Sequence, residues 1–317
     1  MKRYLKGSYL YLFMFASLVL VLQAHAVDDL RIMTYNLRYD NPGDSLDNWH
    51  FRKATIVSMV RFHQPQVFCT QEGLVHQLQY LDSNLTTYRR VGVGRDDGKE
   101  QGEFCAIFYD TTALELLALP GGKQPGKQTF GGTFWLSPTP DTISVGWDAV
   151  LPRIATYAMF HRKNTSTSFL VMNTHFDHIG VNARNESAQL LVQRSKQLCD
   201  SLGKILSQEI HQIVTGDFNS SPADFGYRVM TTSSNREQRA FYDSRVVTQQ
   251  PPIGPEYTYY GFDPRADFHG ERIDYIFVSN QIDVLRYATL TDYTSRASFP
   301  SDHLPVVVDV RFPVARK

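Results

Sequence analysis

Cysteine is scarce in this chain, with only Cys69, Cys105 and Cys199 in 317 residues and no CxxC spacing among them. That excludes a disulfide-rich scaffold and a thiolate zinc site, and the odd number leaves at least one thiol unpaired unless it bridges to another chain. Cys69 in "QVFCTQE" and Cys105 in "EFCAIFY" lie inside strand-like runs, so both are expected as buried free thiols that pack as small apolar residues rather than as a bridge. No HExxH pattern occurs, which removes a second common zinc signature. Internal repeats, low-complexity linkers and runs of Lys or Arg are also missing. Without a basic stripe, a dedicated binder of long nucleic acid loses its usual electrostatic footprint. Nor does any apolar run approach the roughly 20 residues that a spanning helix needs.

The nearest to such a run is at the amino end. In "MKRYLKGSYLYLFMFASLVLVLQAHA", Lys2, Arg3 and Lys6 precede thirteen residues from Leu10 to Leu22, and Ala24-His25-Ala26 then makes a small-x-small cleavage pattern. Residues 1–26 are therefore expected to be a secretory signal peptide, leaving residues 27–317 as one mature domain that is secreted or periplasmic. No cysteine near the cleavage point offers a lipid anchor. The whole chain has 32 basic and 32 acidic residues; with the three leader cations removed, 29 stand against 32, a net of −3.

What is present is a long series of short apolar runs rich in Val, Ile, Phe and Tyr: "LRIMTYNLRY", "QVFCTQE", "RRVGVG", "EFCAIFY", "RIATYAMF", "SFLVMNTH", "QIVTGDF", "RIDYIFVS", "DVLRYATL" and "PVVVDVRF". These read as strands. Helical periodicity marks about Asn48 to His63, about Leu74 to Leu85 and about Ala183 to Leu206. In the last, Ala188, Leu191, Val192, Ser195, Leu198, Cys199 and Leu202 form one apolar stripe. Many strands with a few interspersed helices imply one α/β domain with stacked sheet faces and helices outside. Residues 121–147 differ in texture: rich in Gly and Pro and carrying Phe130, Phe134, Trp135 and Trp147, they are expected to form an ordered aromatic lip. The glycines of "GVGRDDG" precede no helix signature and read as a hairpin turn.

The strands share a habit of ending or starting on polar groups. Asn36, Glu72, His175 with Asp177, and Asp217 with Asn219 close their runs; Asp274 opens "DYIFV", and Asp302 and His303 precede the last strand. Singly, each passes as a turn residue or cap. Together they would be costly to bury unless a cation or hydrogen bonds compensate. Carboxylate and carboxamide oxygens with almost no thiolate suit a hard cation, Mg²⁺ or Mn²⁺, rather than zinc, and such a cation commonly serves phosphoryl chemistry. A carboxylate beside His303 would fix its tautomer and stabilise its charged form.

In order and spacing, "TYNLR", "QE", "NTHFDH", "TGDFNSSP", "RIDYIFVS" and "SDHLPV" resemble the motifs of the endonuclease/exonuclease/phosphatase superfamily, across about Leu30 to Pro313. The stretches between them resemble a secreted bacterial branch, nearer the deadenylase-like members than DNase. The resemblance implies a four-layered α/β sandwich of two packed, mainly antiparallel β-sheets flanked by helices, with a metal-dependent phosphoester hydrolase site at one edge. It also implies roles: Glu72 holds Mg²⁺ or Mn²⁺ with Asn36 beside it, and Asp217 and Asn219 contact the attacking water and a phosphate oxygen. His303, oriented by Asp302, balances charge or activates that water; His175 donates to a non-bridging oxygen; and Asp274 completes the metal set or polarises a histidine. Arg184 and Arg153 are candidate phosphate clamps, with Asp177 beside them as a substrate-binding residue.

The slightly acidic mature chain favours a small phosphoester, such as a sugar or nucleotide phosphate or a short oligonucleotide, over long duplex DNA. A sphingomyelinase-like lipid phosphodiesterase is the alternative, with the aromatic lip touching the membrane. A non-catalytic binding protein that keeps the fold is the reading from another class. No obligate protein partner is evident.

Overall fold

Every apolar run quoted above becomes a strand in the computed structural model, which describes residues 29–117, 131–232, 240–265 and 270–313. The leader lies outside the described residues. Six strands form the first sheet: β1 (Asp29–Asn36), β2 (Val67–Gly73), β3 (Tyr88–Val91), β4 (Phe104–Asp110), β12 (Asp283–Thr289) and β13 (Val306–Arg311), in the order β12-β13-β1-β2-β4-β3. The second holds β5 (Leu114–Leu116), β7 (Ile154–Arg162), β8 (Ser168–His175), β9 (His211–Asp217), β10 (Tyr242–Asp243) and β11 (Asp274–Val278), in the order β10-β11-β9-β8-β7-β5, with β6 (Gly131–Trp135) also paired to β7.

Each sheet is antiparallel except at one central pair. β1 runs parallel to β2, and β8 parallel to β9. Parallel neighbours need a long crossover, which helix α1 (Trp49–His63) supplies in the first sheet and α3 (Val181–Leu206) in the second. Among the described residues, three shorter α-helices, α2 (Val75–Asn84), α4 (Phe225–Thr231) and α5 (Ser244–Val247), and a 3-10 helix at Pro42–Asp47 complete the set.

Period-two alternation sorts the side chains of β1. Leu30 and Ile32 join Val67, Ile107, Phe169, Val171 and Ile213 between the sheets, while Met33 and Tyr35 face outward against Ile56, Val60 and Leu78 of α1 and α2. On the far side Leu170, Met172 and Val214 pack against Ala188 and Leu191 of α3, so the expected stripe does cover a sheet. The layers are helix, sheet, sheet, helix.

A polar strap crosses the apolar interior near one edge. Asn173 on β8 donates to the Thr70 and Ala106 carbonyls of the other sheet at 2.8 and 2.9 Å, and its own carbonyl accepts from Gln71 Nε2 at 2.6 Å and Thr215 Oγ1 at 3.2 Å. Both amides are fully buried. All four hydrogen-bonding positions of the Asn173 amide are used, which fixes one sheet against the other.

The aromatic lip needs correcting. Phe130 lies outside the described residues, and Gly131–Trp135 is strand β6, whose Phe134 and Trp135 are buried in the core; of the three described aromatics expected there, only Trp147 stands partly open. A Gly- and Pro-rich texture had hidden a strand. Cys69 and Cys105 are buried and unbridged, as expected, and burial pushes the Cys69 thiol up to about 12, which suits packing and not nucleophilic attack.

Candidate active site

The topology explains why the polar residues meet. Parallel strands bring both carboxyl ends to the same edge, so Asn36 and Glu72 end β1 and β2 beside each other, as His175 and Asp217 do on β8 and β9. An antiparallel neighbour brings its amino end to that edge instead. Asp274, the first residue of β11, therefore lies in register opposite Asp217, and His303 precedes β13.

Local backbone distortion aims these groups. Glu72 sits at φ 61° where the β2–β4 register shifts between Thr70 and Gly73, and Asn219 at φ 45° just beyond β9. Left-handed backbone is costly for Glu, and such outliers gather at functional edges. Gly216 serves a different need, since a Cβ there would collide with the Thr174 carbonyl oxygen of β8. Only glycine lets the two strands approach so closely.

Asp217 is the hub. Its Oδ1 accepts from the Asn219 amide at 2.9 Å and its Oδ2 from Asn36 Nδ2 at 3.0 Å, while His175 Nε2 and His303 Nε2 stand 3.4 and 3.7 Å from Oδ2. Burial, then the nearby Asp274 carboxylate, push the Asp217 carboxyl up to about 7 against the pull of His303. Burial disfavours charge on His303 too, but Asp274 and Asp217 outweigh it and hold the imidazolium well above its usual range. His175 is the opposite case, kept neutral by burial and by Arg153 and Arg95. Two histidines flank one carboxylate, one charged and one neutral, a division of labour suited to acid–base work.

Several expected roles change. His303 is oriented by Asp274, whose Oδ2 accepts from Nδ1 at 2.8 Å; Asp302 turns instead toward Arg38, 3.5 Å away. Asn36 is not an oxygen ligand, because its Oδ1 accepts from the Arg38 amide while Nδ2 donates to Glu72 and Asp217. It positions the two carboxylates. Asp177 is buried and saturated by the Ile179 and Gly180 amides and by Arg153 Nε at 3.2 Å, which leaves no oxygen for substrate. Arg184 donates from Nη1 to the Asp177 carbonyl at 3.1 Å, fastening the first turn of α3 to the strand end. Asn219 likewise spends its side-chain amide on the Phe176 carbonyl, at 3.0 Å.

Glu72, Asp217 and His303 offer donor atoms within 4.8 Å of one another, and Asp274 Oδ1 is buried with no hydrogen-bond partner among the described residues. A charged His303 leaves the carboxylates as the ligands, a donor set that fits a hard divalent cation.

Sequence reasoning missed three residues. Glu103 lies 3.7 Å from His175 Nδ1, and burial with the neighbouring Glu72 charge pushes its carboxyl up to about 7. Arg95 grips both Glu103 oxygens, at 2.7 and 2.9 Å. Arg52 of α1 is fully buried and donates to the Leu37, Arg38 and Pro300 carbonyls, joining the loop after β1 to the loop before His303. The signal available for Glu103 was its place at the amino end of a strand antiparallel to β2.

The family model for the Endonuclease/Exonuclease/phosphatase family matches residues 33–303. The chain belongs to that family. A structure of a family member from Bacteroides thetaiotaomicron is 39 % identical, covering 90 % of this chain and 98 % of that one, with a TM-score of 0.78. A mannosyl-6-phosphatase of Bacteroides thetaiotaomicron VPI-5482 is likewise 39 % identical, over 89 % of this chain and 100 % of its own, also at 0.78. The nocturnin of Drosophila melanogaster is 23 % identical over 89 % of this chain, which spans 46 % of that protein's length. Members of the family are phosphoester hydrolases, typically dependent on a divalent metal, and this endonuclease/exonuclease/phosphatase protein is such an enzyme. The non-catalytic reading falls with that membership and the intact cluster.

Proposed function

We propose that the protein is an exported, Mg²⁺-dependent hydrolase of small phosphoesters, with a sugar phosphate as the first candidate substrate. The observation that carries this is the convergence of Glu72, Asp217 and His303 within 4.8 Å, with Asp274 behind one histidine and His175 opposite. The mannosyl-6-phosphatase among its relatives favours a sugar phosphate, and a mature net charge of −3 disfavours long nucleic acid.

Glu72 anchors the cation, which when bound neutralises charge on a phosphoryl oxygen and acidifies water. Asn36 and the Tyr39 amide hold the two oxygens of Glu72, at 2.9 and 3.0 Å. His303, already charged, donates to a phosphoryl oxygen, and Asp217, deprotonated beside the cation, takes the proton of the attacking water. His175, neutral, donates from Nε2 to a non-bridging oxygen.

Export rests on the leader pattern of residues 1–26. Mass spectrometry of protein recovered from the periplasm should find a chain beginning at Val27; an intact Met1 terminus there would contradict cleavage. The substrate is tested by phosphate release from mannose 6-phosphate, nucleotides, diesters, short RNA and sphingomyelin, with Mg²⁺ or EDTA. Turnover of the sugar phosphate is expected, and turnover of RNA alone would refute the sugar-phosphate reading. A lipid substrate is the second reading, favoured by Ile143, Val145, Ile179 and Val181, all half exposed or more. The loop that carries Ile143 and Val145 is tied to the first turn of α3 through Asp148 Oδ1, which accepts from the Ala183 amide. Preferential cleavage of sphingomyelin would select it.

A further inference from the structure

Behind His175, on its Nδ1 side, lies a cavity of about 10 Å³ lined by Arg95, Glu103, Arg153, His175, Cys105 and Ile154. That is room for one water molecule. Arg95, Arg153 and His175 are each more than nine-tenths buried. Arg95 Nε and Arg153 Nη1, which can only donate, and His175 Nδ1 have no hydrogen-bond partner among the described residues, although Asp96 Oδ1 stands 3.8 Å from Arg95 Nε. Buried polar nitrogens without partners are rare and call for an explanation.

A neutral imidazole carries one ring hydrogen, and here two carboxylates compete for it. Asp217 Oδ2 lies 3.4 Å from Nε2, and Glu103 Oε2 lies 3.7 Å from Nδ1. Both Glu103 oxygens already accept from Arg95, at 2.7 and 2.9 Å. Donation from Nε2 to a phosphoryl oxygen needs the hydrogen on Nε2, which makes Nδ1 an acceptor in want of a donor. Neither arginine can turn to serve it. Arg153 is fixed through Nε to Asp177 at 3.2 Å and through Nη2 to His178 Nδ1 at 2.8 Å. Arg95 is fixed by Glu103 and by Trp135 Nε1, which donates to its carbonyl at 2.8 Å.

We infer that one water, held in this cavity by Arg95 and Arg153, fixes the His175 tautomer with its hydrogen on Nε2, so that the two arginines are positioning residues for hydrolysis. This rests on the hydrolase reading above. A water molecule has two lone pairs and two hydrogens. Its lone pairs accept from Arg95 Nε and Arg153 Nη1, which turns one hydrogen toward Nδ1 and the other toward Glu103, and one molecule satisfies all four polar walls. The guanidiniums cannot accept, so the water cannot turn round, and a hydrogen on Nδ1 would meet a hydrogen of the water. A halide ion would accept from the same arginines but has no hydrogen to give, and would draw the ring hydrogen to Nδ1.

The test begins with the wild-type protein, with Mg²⁺ at neutral pH. A high-resolution crystal structure should show a water within hydrogen-bonding distance of Arg95 Nε, Arg153 Nη1 and His175 Nδ1. Nitrogen NMR of histidine-labelled protein, with the His175 signals assigned by their loss in His175→Gln, should show a bare Nδ1 and a protonated Nε2. In Arg95→Met the Glu103 carboxylate loses its partner and claims the ring hydrogen, so the tautomer should reverse; kcat should fall about 10-fold or more while KM changes less than about 3-fold. Arg95→Lys, which keeps a donor and a charge, should restore the Nε2 hydrogen and most of kcat. The two wild-type readings decide should Arg95→Met not fold. A dry or halide-filled cavity, a wild-type hydrogen on Nδ1, or a folded Arg95→Met protein that keeps its Nε2 hydrogen would overturn the inference and leave the hydrolase reading intact. Folded wild type inert on every phosphoester, with water and tautomer in place, would instead end the hydrolase reading and the role of the two arginines with it.

Discussion

His303 and Asp217 show how much of this site depends on which carboxylate faces which nitrogen. Asp274 accepts from His303 Nδ1 directly, whereas Asp302 points to Arg38. Asp274→Asn should therefore lower the His303 imidazole pKa more than Asp302→Asn does, measured by NMR titration, and cost about 10²- to 10⁴-fold in kcat. A larger drop in the Asp302→Asn protein would return the orienting role to Asp302. The sequence exposed the identities of the polar residues because polar groups at the ends of apolar runs stand out. Their pairings were hidden, since Asp302 adjoins His303 in the chain while Asp274 reaches it only through the pairing of β11 with β9. Glu103 and Arg95 were hidden for a related reason: in "GRDDGKEQGEF" their charges look like those of any solvated turn.

At the level of strands and helices, the decisive device is the parallel pair at the centre of each sheet, strapped to its counterpart by Asn173. Asn173→Ala leaves buried acceptors and donors on both sheets unpaired and should cost about 3 kcal/mol or more in chemical denaturation. A loss under about 1 kcal/mol would show that the strap is dispensable. Gly216→Ala drives a methyl group into the Thr174 carbonyl of the adjacent strand and should destabilise by more than about 2 kcal/mol; a neutral effect would mean that the two strands can part at little cost. Strand existence was legible from β-branched and aromatic runs, and all three long helices from their periodicity. Elements lacking such a signal were not: β5 and β10 are three and two residues long, and β6 begins with two glycines. Arg52 was read only as part of a helix, because nothing local marks a cation that faces inward to gather carbonyls from two loops.

Over the whole molecule, the fold holds several ionisable groups away from their ordinary charge state. Asp217 is raised from 3.8 to about 7, so the metal-free folded protein retains a proton that the unfolded chain releases over about pH 4 to 7. That contribution to stability therefore falls as pH rises through the window, and the raised His303 acts in the same direction as pH passes its folded value. His175, lowered, opposes them below about pH 6.5. A divalent cation binds the deprotonated carboxylate, so the gain in Tm on adding Mg²⁺ should be larger at about pH 8 than at about pH 5.5. A gain independent of pH would place the cation elsewhere. The central claim is that Glu72 anchors a cation required for turnover, and the most direct measurement is phosphoester hydrolysis by wild type and Glu72→Ala with Mg²⁺ and with EDTA. The expected result is metal-dependent turnover in wild type, lost on chelation and reduced at least about 10³-fold in a folded Glu72→Ala protein; full activity in that variant, or in EDTA, would contradict the account.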